Sequence, residues 1–419
     1  MTPLNKFIAL RKTPRAAALG LQSAATAEKR SEIVRDAEHS DRATELRAIG
    51  LPEIQPQRRE GAEFGFERLG NVGVYVVTAV DQAQAQAARA VLEPDYLVMP
   101  NIPLSLPATA LATRRLARRP AAPWPEASGV ALARSRGLTG HGVLVGVLDT
   151  GVDADHAEFA RRRIEFRYVP LDPAPEGMRA VRGFDVHGHG THVCGIIAGR
   201  NVGVAPDVEL MVAAVIESET VRTSLERIVI ALDWMLSQFR LPEHQHKPMI
   251  VSMSLGFRED WISAPAYQTV TEGMRLLLAT LVHDFDVLPV VAIGNDGPGQ
   301  VRAPGYFAEA LAVGAVDFEG HIWEHSGSGR APDGPQKPDL VGYGVDVVSS
   351  LERDIRRRSI YAPMSGTSMA TPYVTGIAAL LAQASPGTQG AALRERLLSA
   401  ALPLPVPPER VGAGLARYV

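Results

Sequence analysis

From about residue 129 onward the chain alternates short, nearly uninterrupted apolar runs with longer stretches whose apolar positions recur at helical spacing. Continuous apolar runs of strand length suit strands covered on both faces, as in parallel sheets. Val143 to Leu148, Ile164 to Tyr168, Leu210 to Val215, Ile250 to Met253, Val287 to Ala292 and Leu311 to Ala315 are therefore predicted as parallel strands. Helical periodicity marks Val193 to Ala198, Ser224 to Phe239, Tyr267 to Phe285, the stretch after Ser368 and Leu393 to Ala401. Strands alternating with helices imply an α/β domain, a doubly wound parallel sheet with helices on both faces.

Residues 1 to about 105 read differently. Lys6 to Arg11 is a short strand, Ala24 to Glu38 a charged helix and Gly73 to Val80 a strongly β-prone strand. Asp81 is placed to cap a helix from Gln82 to Val91, and Tyr96 to Met99 closes the unit as a last strand. With room for a further strand near Phe64 to Glu67, this order fits a small ferredoxin-like α+β domain. Pro103 to Ser128 is rich in Pro, Ala and Arg and reads as a linker. The expected division is 1–105, linker 106–128, and 129–419.

Composition narrows the classes. The 419 residues suffice for a large α/β domain and a smaller one. A net charge of −3 offers no polyanion-binding surface, so no nucleic-acid partner is expected. The clustered Arg114, Arg115, Arg118 and Arg119 lie among prolines and read as exposed linker. Cys194 is the one cysteine, which excludes an intrachain disulfide. No apolar segment of signal-peptide or membrane-spanning length appears, so the expectation is a cytoplasmic protein with no membrane association, with export by a route that needs no cleaved leader left open.

The chemistry gathers at three strand or helix ends. Ser368 follows a Gly-Thr turn at the start of a helix, where unpaired N–H groups favour developing negative charge; taken alone it could be a plain N-cap. Asp149 ends a predicted buried strand, and His189 opens a helical stretch. A serine hydroxyl becomes a nucleophile only with a base in hydrogen-bond reach and a carboxylate to orient that base. His187, His189 and His192 could also be read as a zinc cluster, but no HExxH helix accompanies them. Asn295 ends another buried strand before Gly, a position that suits a turn.

The segments DTG, HGTHVCG and GTSMATP resemble the three active-site motifs of the subtilisin-like serine proteases, the subtilases, and the resemblance runs from about Trp124 to the C-terminus. It implies Ser368 as nucleophile, His189 as base, Asp149 as its orienting carboxylate and Asn295 as oxyanion donor, in an endopeptidase acting on polypeptides through an acyl-enzyme. It further implies that Ser254, Leu255 and Gly256 pair with the substrate backbone and line the pocket for the side chain before the scissile bond. Ala292, Ile293 and Gly294 would form its opposite wall, and residues 303 to 317 its base. These small walls suggest a preference for large apolar or aromatic side chains.

In such proteins an N-terminal domain of this kind is a propeptide, and AVLEPDYLVMPN, residues 90 to 101, resembles the end of one. The expectation is a self-inhibited zymogen whose own N-terminal domain is the intramolecular inhibitor, with the tail Pro100 to Pro107 lying against Ser254 to Gly256. The alternatives are an N-terminal adaptor without inhibitory role and a catalytically latent fold used as a regulated or binding module.

Departures from the pattern bear on metal and on the catalytic turn. Gly342-Tyr343-Gly344 stands where the family has Ala-Pro-Gly. The loop from Arg200 to Pro206 is shorter than the Asn-rich loop of members with a strong calcium site, and Glu158 is a single carboxylate there. No cofactor is required and no metal ligand is predicted, with a weak calcium site left open. Cys194 reads as a buried structural cysteine.

Overall fold

The structure is a computed structural model and describes residues 5–18, 27–36, 42–54, 64–104, 110–111, 124–160, 162–170, 179–217, 223–257, 264–331 and 334–419. Arg114 to Arg119 and most of the predicted linker lie outside these residues.

The N-terminal region forms a four-stranded antiparallel sheet. Its strands are β1 (Lys6–Arg11), β2 (Gly65–Leu69), β3 (Val74–Thr78) and β4 (Tyr96–Pro100), in the order β2-β3-β1-β4. With α1 (Ala27–Asp36) and α2 (Arg42–Ala48) before β2 and α3 (Gln82–Leu92) between β3 and β4, this is the ferredoxin-like βαββαβ arrangement. Asp81 caps α3 by accepting the Gln84 N–H at 2.8 Å. Helix α2 has no counterpart among the expected elements, because its seven residues turn only Ala43 and Leu46 inward, too few for a visible period.

This sheet is covered on both sides, which explains why its strands read as unbroken apolar runs. Phe7, Ala9, Tyr75 and Val77 face the unit's own helices, and the alternate positions Ile8, Leu10, Val74 and Val76 join the core of the larger region. Polar contacts cross the same boundary. Asp233 accepts the backbone N–H groups of Asn71 and Val72 at 2.7 and 3.1 Å, and Asp284 accepts those of Arg15 and Ala16 at 2.9 and 2.8 Å. Arg30, buried, donates to the carbonyls of Phe285, Gln245 and Lys247 and lies over the Phe239 ring.

The larger region is built on an eight-stranded sheet. Its parallel strands are β5 (Leu144–Asp149), β6 (Ile164–Tyr168), β7 (Glu209–Ala214), β8 (Met249–Met253), β9 (Leu288–Ala292), β10 (Leu311–Val316) and β11 (Leu340–Tyr343). The order is β11-β10-β9-β8-β5-β7-β6, and the short strand Arg179–Ala180 adds antiparallel at the far edge. The chain thus starts at β5, places β6 and then β7 on one side of it and steps outward through β8 to β11 on the other, which leaves a crevice at the carboxyl ends beside β5. The strand β11 was not among the expected strands; Gly342 within it and Gly344 just after it hide it from a propensity reading.

Two helical layers cover the sheet. On one face lie α4 (His189–Ala198), α7 (Thr367–Ala384) and α8 (Gly390–Ala400), with Val145, Val147, Leu210 and Val212 beneath them. On the other, α5 (Leu225–Ser237) and α6 (Ala264–Ala279) lie over Leu144, Leu148, Met211 and Met253, and carry the N-terminal sheet on their outer side. Within α6, Gly273 leaves the space that Met99 of β4 fills, since a Cβ there would meet the Met99 sulfur at 2.3 Å. A hairpin of β12 (Val347–Leu351) and β13 (Ile360–Ser365) delivers the chain to α7. Among the described residues no helix is long and apolar enough to cross a membrane.

Candidate active site

Asp149 is the last residue of β5, His189 the first of α4, and Ser368 the second of α7. All three side chains are buried. The His189 imidazole Nδ1 meets Asp149 Oδ1 at 2.7 Å, and the same oxygen accepts the Thr150 N–H at 2.7 Å. Burial opposes the charged imidazole, but the charge and hydrogen bond of Asp149, with Asp185 behind it, leave the His189 pKa above its ordinary value. Asp185 is itself held by the N–H groups of His187, Gly188 and Thr191 and by the Thr150 hydroxyl. Nothing in the residue pattern had marked Asp185.

The structure brings Asp149 and His189 into contact but does not hydrogen-bond His189 to Ser368. His189 Nε2 and Ser368 Oγ are both buried, and neither has a hydrogen-bond partner among the described residues. The neighbouring histidines do not converge on one point. His192 Nε2 faces the Ala362 carbonyl at 3.0 Å, and burial lowers its pKa to about 3, so it is a neutral packed residue.

Ser254 follows β8, and its hydroxyl donates to the Ser368 carbonyl at 3.0 Å. That carbonyl needs an outside donor because the residue four positions on is Pro372, which has no N–H. Asn295 follows β9; its Oδ1 accepts the Thr367 N–H at 3.0 Å and the Thr367 hydroxyl at 2.8 Å. Two donors on one oxygen orient the carboxamide and turn its NH₂ end away from Thr367.

Leu255 and Gly256 continue from Ser254, and Ala292 ends β9 with Ile293 and Gly294 leading on to Asn295, so both expected pocket walls lie at carboxyl ends of neighbouring strands. Phe257 and Ala303 exchange backbone hydrogen bonds at 2.9 and 3.2 Å, which puts the start of the segment 303–317 beneath the first wall. The residue before it, Arg302, lies against both walls and was not picked out from sequence.

A profile described as the subtilase family matches residues 140–414. The chain belongs to the subtilase family. Among its relatives, the subtilisin-like protease PopC of Myxococcus xanthus (strain DK1622) is 41% identical over 100% of this chain and 93% of its own length. The intracellular serine protease of Paenibacillus polymyxa is 33% identical over 66% of this chain and 79% of its own length. Subtilisin Savinase of Lederbergia lenta is 34% identical over 65% of this chain and 88% of its own length. This subtilase is a serine endopeptidase, and its substrates are polypeptides.

The departures from the family pattern have local explanations in this subtilase. The Gly366 N–H donates to the Gly344 carbonyl at 2.8 Å, so Gly342-Tyr343-Gly344 passes directly beside the turn that leads to Ser368, while the Tyr343 ring packs on Tyr373. Glu158 is occupied: Asn201 Nδ2 and the Tyr361 hydroxyl donate to its Oε1 at 2.9 and 2.7 Å, and the Asn201 N–H to its Oε2 at 2.7 Å. A carboxylate so engaged, with no second acid beside it in that loop, does not fit a tight calcium cage. Cys194 is buried, and burial pushes its thiol well above the usual value, which makes it unreactive.

Proposed function

We propose that Ser368, His189 and Asp149 form the catalytic triad of this endopeptidase, with Asn295 and the Ser368 N–H as oxyanion donors. The buried 2.7 Å hydrogen bond between His189 and Asp149 carries this reading, because it fixes the tautomer that leaves Nε2 as proton acceptor. Ser368 Oγ attacks the peptide carbonyl and His189 Nε2 takes its proton. His189 then protonates the departing amine. Water, activated by the same imidazole, releases the acyl group and restores Ser368. Labelling by a serine-directed phosphonate tests the assignment: Ser368 should be the labelled residue, and Ser368→Ala should lose turnover on the order of 10⁶, the scale known for subtilisin. Label on another serine refutes it.

The zymogen reading extends this proposal. Pro103–Leu104 pairs antiparallel with Thr223–Ser224, which differs from the expected partner, Ser254 to Gly256. Ala110–Leu111 pairs antiparallel with Met364 and Ser365, on the strand that leads into the Ser368 turn. Residues 105–109 are outside the described residues, yet both of their flanks are tied to the cleft region as added strands, as a product-like inhibitor would be. Self-cleavage is expected between about Asn101 and Pro123, with residues 1–105 acting as inhibitor. Mass spectrometry over time should show a new N-terminus there in the active chain and none in Ser368→Ala. A chain lacking residues 1–105 that is expressed and active just as the whole chain is would instead make the N-terminal unit an adaptor. The name of the Paenibacillus relative, together with one buried cysteine, supports cytoplasmic residence of the protein before activation.

A further inference from the structure

The space between the two pocket walls is not open to the depth that the small residues suggested. Arg302 runs through it with its side chain 6% exposed. A Cβ on Gly256 would meet the Ala303 carbonyl oxygen at 3.0 Å and Arg302 Cβ at 3.2 Å, and one on Gly294 would meet Arg302 Cγ at 2.9 Å and Cδ at 3.0 Å. The glycines are therefore faced by an arginine stem, one on each side. The backbone holds this residue in place: the Arg302 N–H donates to the Ile293 carbonyl at 3.1 Å, and Ala303 pairs with Phe257. At its end the guanidinium makes a two-point contact with Asp296, Nε to Oδ2 at 2.5 Å and Nη2 to Oδ1 at 2.8 Å. Asp296 directly follows Asn295, so the ion pair sits one residue from the proposed oxyanion donor.

This arrangement changes what the pocket accepts. An aromatic ring sliding between Gly256 and Gly294 would need the volume that the arginine stem holds. An apolar side chain stopping above it would cover a charged pair and shut water out without offering a hydrogen bond, which is costly. A lysine or arginine of the substrate would bring a second cation to a guanidinium. A carboxylate or carboxamide, in contrast, presents the acceptor oxygen for which a guanidinium is built, on the same chemical terms as Asp296.

Resting on the peptidase reading above, we propose that Arg302, braced by Asp296, is the floor of the pocket for the side chain before the scissile bond. It makes the enzyme select acidic or amide side chains there, Glu, Gln, Asp or Asn. The residue acts by direct contact with substrate, and Asp296 positions it.

The test uses the purified full-length protein, incubated until mass spectrometry shows its self-cleavage complete, and peptides that differ only at the residue before the cut, with kcat/KM as readout and phosphonate labelling of Ser368 alongside. Peptides with Glu, Gln, Asp or Asn should exceed those with Phe, Leu, Lys or Arg by about ten-fold or more, the discrimination expected of a site built to hydrogen-bond its ligand. Arg302→Ala should lower the Glu-to-Phe ratio by about ten-fold or more. Arg302→Lys keeps a cation and most of the volume, and should retain preference for Glu over Phe even if the alanine variant fails to fold. A wild-type profile led by aromatic, leucine or basic residues overturns the proposal, as does an unchanged profile in an active Arg302→Ala enzyme or loss of the Glu preference in an active Arg302→Lys enzyme. If Ser368 is labelled and apolar substrates are favoured, only the pocket assignment falls. If Ser368 is not labelled and no peptide is cut, the triad reading falls and takes the pocket with it.

Discussion

The contact between Ser254 and Ser368 lends itself to a quantitative test. Ser254→Ala removes the donor that serves the buried Ser368 carbonyl at 3.0 Å, and Pro372 cannot replace it. An acceptor buried without a partner costs about 1–3 kcal/mol. For a domain of this size that corresponds to a fall in melting temperature of roughly 2–5 °C. Thermal unfolding should be followed in a Ser368→Ala background, which stops autolysis and leaves the backbone carbonyl untouched. Pro372→Ala restores an N–H four residues beyond that carbonyl, so in its presence the Ser254→Ala loss should shrink, with a coupling of about 1–2 kcal/mol between the two substitutions. Stability is the chosen readout because Ser254 is also expected to touch substrate, which would blur a kinetic result. Equal losses from Ser254→Ala with proline and with alanine at 372 would show that the hydroxyl does not stand in for the missing helical bond.

Three further outcomes follow from the same geometry. Thr367→Val removes one of the two donors that orient Asn295 and should lower kcat by about ten-fold with little change in KM; an unchanged kcat would place the orienting force elsewhere. His189 must be neutral to accept a proton, and its pKa lies above the ordinary 6.5, so kcat/KM should stay low up to pH 6.5 and rise above it. A pH profile already at its plateau by pH 6.5 contradicts the Asp149 and Asp185 influence. Glu158→Ala strands the N–H of Asn201 and the hydroxyl of Tyr361 and should destabilise by about 2–4 kcal/mol, while a chelator should leave the wild-type melting temperature unchanged. A chelator-induced fall of about ten degrees or more would reveal a bound ion elsewhere.

Much of this protein was legible in the order of its residues. Apolar runs flanked by glycine and small residues marked most of the parallel strands, because a strand buried on both faces needs no polar alternation. The Asp149, His189 and Ser368 motifs were visible because each sits in a short turn whose glycines and small residues are local requirements. The N-terminal unit was legible for the same reason: Lys6–Arg11 and Val74–Thr78 are apolar at successive positions, and Asp81 is a local cap.

What escaped depends on partners far along the chain. No local rule states that Val74 and Val76 face α5 and α6 while Tyr75 and Val77 face the unit's own helices; only the packed sheet assigns those faces. Pro103–Leu104 finding Thr223–Ser224 instead of Ser254 to Gly256 is likewise a matter of where the docked unit leaves its tail. The proposed pocket shows the limit most plainly. Glycines at 256 and 294 signal space to any reading of the sequence, but the arginine that fills the space enters from residue 302 and is aimed by Asp296 and the Ile293 carbonyl. Residue types determine what a wall is made of, and the tertiary fold decides what stands between two walls.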